Sequence, residues 1–597
     1  MNTKKQNYIS GLDGLRALAV MMVIGYHLKL PIFKGGVLGV TMFFVISGFL
    51  ITRLLLKEID QTHSIDLKNF WIKRIKRIWP ALLFMVSIVV IVFAIFNRLL
   101  FTKASQDYFS VIFGFNNWYQ IFNNISYFDN GGAASPLLHC WSLAIETQFY
   151  LIFPIILLLL SKVNKNKTKR YRLFILSTTI LTIISSLLMF FLFDPNIDPS
   201  RVYYGLDTRA FSLLIGALLA MFVQYFQQIR LNKVFNDFIG IISLVAFCLM
   251  VSNIAGYHEI LYRGGYVVAS LLSAFIILSI LKRNSILSKI LSIPVIDWIG
   301  KLSYSLYLWH YPVIILISGG KQSSVGIMVI EIILTIVMSI ISYYLIETPI
   351  RHGAISRVWQ AIVSKMKNKQ KNLKKDISVV LTSLLLFITS LSCVAFVPKE
   401  NMSDNIKTTE EKEVVQKETE KTEVKQTVSD DDIINNLDIL IIGDSVAEGA
   451  QSQLQATFPK GRINAKVSRH CSDSIPVLQS EMNDANWDGD CLIFSLGTNG
   501  PMYDFMGKTR DILKADKPMF VLTIRAPYEE WTQDNNVQIK EFCQNHDNVY
   551  LIDWASYSEG YDDWFVRDET HLTNAGIVGF TNCIKENVLK VFKEKTN

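Results

Sequence analysis

The sequence runs to 597 residues, with 51% hydrophobic residues beside 18% charged ones and a net charge of +8. That length exceeds one ordinary domain, and the mixture excludes both a single soluble core and a wholly membrane-embedded chain, because a bilayer span tolerates few charges. Most Lys and Arg sit in short loops between apolar runs, which is a topology signal and not a nucleic-acid surface.

About eleven apolar segments fill residues 1–397, at 12–31, 36–56, 80–97, 141–161, 173–194, 209–227, 236–254, 264–281, 303–318, 325–346 and 377–397. Most approach the ~20 residues that cross ~30 Å of hydrocarbon, so a multi-pass all-α membrane domain is expected. The loops after the second, fourth, eighth and tenth segments are rich in Lys and Arg, and the intervening ones are poor. The positive-inside rule then puts the N-terminus in the cytoplasm, and an odd number of spans puts the C-terminus outside.

Polar residues inside these segments are candidates for chemistry. Arg16 and His27 stand eleven positions apart in GLDGLRALAVMMVIGYHLKL. That is three helical turns, so they share a face and lie roughly 16 Å apart along the axis. A buried His is either a packing residue or part of a polar path. Glu146 falls within HCWSLAIETQFYLIFP, and RVYYGLDTR brings Tyr203, Tyr204, Asp207 and Arg209 to the outer rim of the sixth segment. The expected orientation places His27, Glu146 and the tyrosines at similar depth. The basic run WIKRIKRIWP sets Arg74 and Arg77 at the cytoplasmic mouth, where they either meet phosphates or anchor the topology.

Residues 398–436 read as a flexible external linker, mixed in charge and nearly free of aromatics. From 437 to 597 the pattern changes to short apolar strands (LDILIIG, DCLIFSLG, PMFVLTI, NVYLID) alternating with amphipathic helices, the signature of an α/β domain with a parallel sheet. Cys471, Cys491, Cys543 and Cys583 lie in this part and could form up to two bridges if it is exported.

The first of these strands runs into Asp444-Ser445 and then a helical stretch, placing Ser445 at a sheet edge where backbone N–H groups favour an oxyanion. Asp568 and His571 are three apart near the far end of the chain. A serine needs a base, and the base needs a partner that fixes its tautomer, which suits this pair. G-D-S alone occurs in many turns, and D-x-x-H alone is weaker still.

Together with G-T-N at 497–499, these segments resemble the SGNH (GDSL-type) hydrolases over roughly 437–597. The resemblance implies Ser445 as nucleophile, His571 as general base and acid, and Asp568 as its orienter. It also implies an oxyanion hole from the Ser445 N–H and the Asn499 side chain. Where that family usually offers a Gly, Ser468 stands here.

Over about 10–350 the chain resembles the acyltransferase-3 family, through GLDGLRA, GVTMFFVISGFL, W-x-x-R-x-x-R-I-x-P, HCWSLAIETQFY and SYSLYLWHYP. It departs from that family at Thr41 and Thr147, where acids often stand. The resemblance implies cytoplasmic acetyl-CoA as acyl donor, with His27 assisting transfer and Arg16, Arg74 and Arg77 helping to hold the donor. Glu146 belongs to the same acyl-transfer machinery, and Tyr203 or Tyr204 accepts or relays the acetyl. No permanently bound cofactor and no metal are expected.

The fusion is similar to the two-domain peptidoglycan O-acetyltransferases of Gram-positive bacteria. It implies transfer to the C6 hydroxyl of N-acetylmuramic acid and, through it, lysozyme resistance. Three other readings stay open: the same chemistry on another surface polysaccharide or teichoic acid, an external esterase with a membrane anchor, and a transporter with an accessory binding domain.

Overall fold

The computed structural model describes residues 9, 11–123, 125–128, 134–195, 198–226, 232–282, 284–320, 323–363, 373–399, 430–467, 469–483, 485–527, 529, 531–566 and 569–596. The chain divides near residue 401 into two compact units. The expected elements of the first unit are helices: α1 (Leu12–His27), α2 (Leu38–Thr62), α3 (Leu67–Phe96), α4 (Trp141–Val163), α5 (Lys167–Leu192), α6 (Leu206–Tyr225), α7 (Lys233–Asn253), α8 (Tyr266–Ile280), α9 (Pro294–Ser318), α10 (Val325–Ile341) and α11 (Leu373–Phe396). Among the described residues, nine helices are long and apolar enough to cross a bilayer. The expected eleven therefore holds for nine. Helix α1 has only 16 residues, and α9 carries Asp297, Lys301 and His310 among its tyrosines and serines.

One feature of this unit differs from the sequence reading. The basic run WIKRIKRIWP is not a loop but the first turns of α3, which continues through Pro80. Arg74 and Arg77, three apart, therefore share one helical face. Helices α2 and α6 also cross backbone to backbone. A Cβ added at Gly48 would run into the Leu213 carbonyl, and one at Gly216 into the Val45 carbonyl. Small residues at such crossings let packing replace the hydrophobic drive that lipid removes.

The second unit is built on five parallel strands, β1 (Ile439–Gly443), β2 (Arg462–Ala465), β3 (Cys491–Ser495), β4 (Met519–Leu522) and β5 (Val549–Ile552), in the order β2-β1-β3-β4-β5. Alternate side chains serve two cores, as a pleat of period two requires. Ile439, Ile441, Ile493 and Phe520 pack on one face with Phe580 and Ile584 of α12 (Asn574–Thr596), while Leu440, Ile442, Leu492 and Phe494 pack on the other with Leu478, Phe505 and Ile539.

Most of the 398–436 linker lies outside the described residues. Its last seven, however, form a helix, Asp430–Asn436, with Ile434 buried in the core and Asp430 and Asp431 paired to Lys593 and Lys585 at 2.5 and 2.9 Å. The folded unit thus starts before 437. The four cysteines expected as possible bridges form no disulfide: Cys471 Sγ lies 3.3 Å from Met502 Sδ, and burial pushes the Cys543 and Cys583 thiols up to about 12.

Candidate active site

In an open parallel sheet of this strand order, ligands bind beyond the carboxyl ends of the strands at the switch point between β1 and β3. Both predicted segments emerge there. Asp444 and Ser445 follow β1, and Gly497-Thr498-Asn499 follows β3. The Asp444 N–H donates to Ser495 O at 3.2 Å, tying the two strand ends together. Asp444 Oδ1 accepts the Val446 N–H at 3.1 Å, and Oδ2 accepts the Thr498 hydroxyl at 2.7 Å. Burial pushes this carboxyl above its ordinary value against the pull of those donors. The helix opened by Ser445 is only five residues long, Ser445–Gly449, so its dipole adds little to what the backbone N–H groups supply at the serine.

Ser445 Oγ lies 2.9 Å from His571 Nε2. The separation of 126 positions is closed by the loop ahead of α12, where the Val566 N–H donates to His571 O at 2.9 Å and Phe565 bridges Leu572. Asp568, expected to orient the ring, lies outside the described residues, as does Ser468. Asn499 is buried, and its Nδ2 donates to Arg469 O at 3.1 Å, which uses one of its two amide hydrogens. A serine with an imidazole in hydrogen-bond reach can take and release an acyl group.

In the membrane unit the predicted residues fall into two places. Arg16, Arg74, Arg77 and Glu146 line one cavity of about 880 Å³, its open mouth included, together with Ser142, Tyr150 and Tyr307. Glu146 Oε2 accepts from Tyr150 Oη at 2.8 Å. It therefore joins the arginines and not the level of His27 where it was expected. Three guanidinium groups around one cavity suit a polyphosphate.

His27 belongs to a neighbouring cluster of packed rings. Its ring lies 5.0 Å from that of His310 and 4.8 Å from that of Tyr311, and His310 lies 5.5 Å from His139. His27 Nε2 meets Tyr127 Oη at 3.1 Å. Tyr203 and Tyr204 join this cluster through Tyr127, with ring centroids 4.7 and 6.0 Å from it. Arg209, read as a rim residue, is fully buried, donating to Thr41 Oγ1 at 3.0 Å and stacking 4.0 Å from the centre of the Tyr266 ring. Asp207 pairs with Arg201 at 2.8 Å.

The profile of an acyltransferase domain matches residues 9–347. The chain belongs to the acyltransferase-3 family. It is a membrane-bound acyltransferase. It is 35% identical, over 96% of both chains, to the peptidoglycan O-acetyltransferase OatA of Listeria monocytogenes. A relative from Bacillus subtilis is 31% identical over 98% of both chains. Among solved structures, the C-terminal catalytic domain of OatA from Streptococcus pneumoniae, with a methylsulfonyl adduct, matches with a TM-score of 0.25 and 18% identity, covering 26% of this chain and 94% of that one.

Sequence reasoning passed over three residues of this cluster. His139 and His310 stand inside the motif stretches HCWSLAIETQFY and SYSLYLWHYP, and each is an intramembrane imidazole with the same claim to notice as His27. Tyr127 lies in a short polar stretch, ISYFD, with no periodicity to mark it.

Proposed function

We propose that this enzyme moves acetyl from cytoplasmic acetyl-CoA across the membrane to the C6 hydroxyl of N-acetylmuramic acid in peptidoglycan, through an ester on Ser445, and so confers lysozyme resistance. The observation that carries the reading is the 2.9 Å contact between Ser445 Oγ and His571 Nε2 at the sheet's switch point. His571 takes the serine proton as the ester forms and returns it to the leaving group. The second half-reaction repeats the cycle with a sugar hydroxyl in place of water. Asp568 serves as orienter, and the Ser445 N–H with the Asn499 amide as oxyanion donors.

The three-arginine cavity supports a phosphate-bearing donor, and the basic cytoplasmic loops support an N-terminus inside and residues 430–597 outside. That sidedness explains the two units. The donor is large, charged and internal, the acceptor is external, and only the acyl group crosses. The printed name of the Listeria relative supports peptidoglycan as acceptor. Purified full-length protein given acetyl-CoA and defined muropeptides should yield muropeptides acetylated at C6, and none from Ser445→Ala. Acetate without acetylated sugar would make it an esterase, and acetylation of a teichoic acid alone would move the acceptor.

A further inference from the structure

Near the end of the second unit an aromatic side chain is exposed yet held in place. The chain leaves β5 at the carboxyl edge of the sheet, the edge that carries Ser445, and forms the short helix Trp554–Tyr557. Residues 558–566 then lead back to the His571 segment. Trp564 is wedged in this loop. Its carbonyl accepts the Thr573 N–H at 2.9 Å, and a Cβ added at Gly576 would strike that carbonyl, while one at Gly579 would strike the indole ring. The buried Trp554 ring lies parallel to Trp564 at 6.0 Å. Tyr561 also lies flat against Trp564, with centroids 4.1 Å apart and planes 13° apart, and it is still 48% exposed.

The loop is fixed from the β4 side as well. Arg525, three residues past β4, donates to Ser558 O and, at 3.1 Å, to Asp562 Oδ1. Its guanidinium stacks 4.2 Å from the centre of the buried Phe565 ring. Asp562 and Asp563 follow Tyr561 and are exposed. A side chain that merely covered Trp564 would need no ring, because any apolar chain of similar size would do. A ring held flat by its neighbour, open to solvent and followed by carboxylates has a chemistry of its own.

We propose that Tyr561 is a sugar-stacking platform that binds the acceptor's glycan strand away from the hydroxyl being acetylated. The inference rests on the reading of a glycan as acceptor. A pyranose with equatorial substituents presents C–H bonds on one flat face, and those positively polarised hydrogens fit the negative face of an aromatic ring. The sugar's hydroxyls donate at its rim, where ionised carboxylates accept strongly. Carboxylates repel acids, so the ring taken is an uncharged sugar of the strand. The ends of β4 and β5, which carry this loop, lie two and three strand spacings from the end of β1, about 10 and 14 Å. The neighbouring ring of a disaccharide does not reach that far, and a longer strand does.

The test uses the full chain in detergent, with para-nitrophenyl acetate as a donor that bypasses the membrane unit and disaccharide and hexasaccharide muropeptides as acceptors. KM for the hexasaccharide should lie about tenfold below that for the disaccharide, the factor one stacked ring contributes. Tyr561→Leu, which still covers Trp564, should remove that advantage with little change in kcat, and Tyr561→Phe should keep it. Equal KM values in the wild type, an advantage that survives Tyr561→Leu, or one lost in Tyr561→Phe would overturn the platform and leave the acceptor reading standing. Acetylation of a teichoic acid and of no glycan would overturn both. Should Tyr561→Leu fail to fold, a hexasaccharide with a photoreactive diazirine on its non-reacting end decides on the wild type. Label on the peptide spanning 558–566 supports the platform, and label confined to other peptides overturns it.

Discussion

Removing His571 tests the esterase-like site at its most exposed joint. His571 Nε2 sits 2.9 Å from Ser445 Oγ, so His571→Ala abolishes the proton transfer and leaves the nucleophile in place. A positioned general base contributes roughly 10²–10⁴-fold. At ~1.36 kcal/mol per decade, that is about 3–5 kcal/mol of barrier. Ser445→Ala should cost at least as much. Because the two act as a unit, the double variant should lose no more than the worse single variant, so the coupling energy approaches the whole ~3–5 kcal/mol. The assay is transfer from acetyl-CoA to muropeptide by the full chain, with thermal unfolding run alongside to show that half-buried His571 is not needed for folding. A double variant whose loss is the product of the single losses, or a His571→Ala enzyme within roughly tenfold of wild type, would refute the argument.

Thr498→Val should lower stability by about 2 kcal/mol, because the buried Asp444 carboxylate loses its 2.7 Å hydroxyl donor; an unchanged unfolding midpoint would contradict this. Arg74→Gln and Arg77→Gln should each raise KM for acetyl-CoA roughly tenfold with a smaller change in kcat, reflecting lost charge-assisted contacts in the cavity. Asp488 is held down at about 2 by hydrogen bonds from Lys514 and Lys517. Its folded pKa lies below its unfolded one, so its stabilisation is complete above about pH 4 and fades as pH falls towards 2. Unfolding curves of wild type and Asp488→Asn should therefore differ at neutral pH and converge near pH 2, and a gap that persists there would disprove the linkage.

The apolar strands were legible because a sheet covered on both faces needs continuous hydrophobic runs, and LDILIIG and DCLIFSLG supply them. Strand β2, RINA, was not: it is an edge strand of half-buried residues with no such run. Ser445 and His571 were legible as a pair only in combination, because a serine after a strand needs a base and the G-D-S, G-T-N and D-x-x-H segments stand in the order of one known family. Arg74 and Arg77 were legible as charges, but their helical setting was hidden by Pro80, which reads as a break and is carried inside α3. The grouping of Glu146 with the arginines depends on how α1, α3 and α4 meet around the cavity, and sequence order holds no record of that. The same holds for the His27–His310 contact, made across 283 residues.

The central claim is that an acyl group crosses the bilayer while its carrier stays behind. Proteoliposomes containing right-side-out enzyme, with labelled acetyl-CoA sealed in the lumen on the side of the N-terminus and muropeptide outside, test it directly. The account predicts labelled muropeptide outside with CoA retained in the lumen, and none with Ser445→Ala. Labelled product that forms only when acetyl-CoA is supplied on the same side as the muropeptide would contradict it.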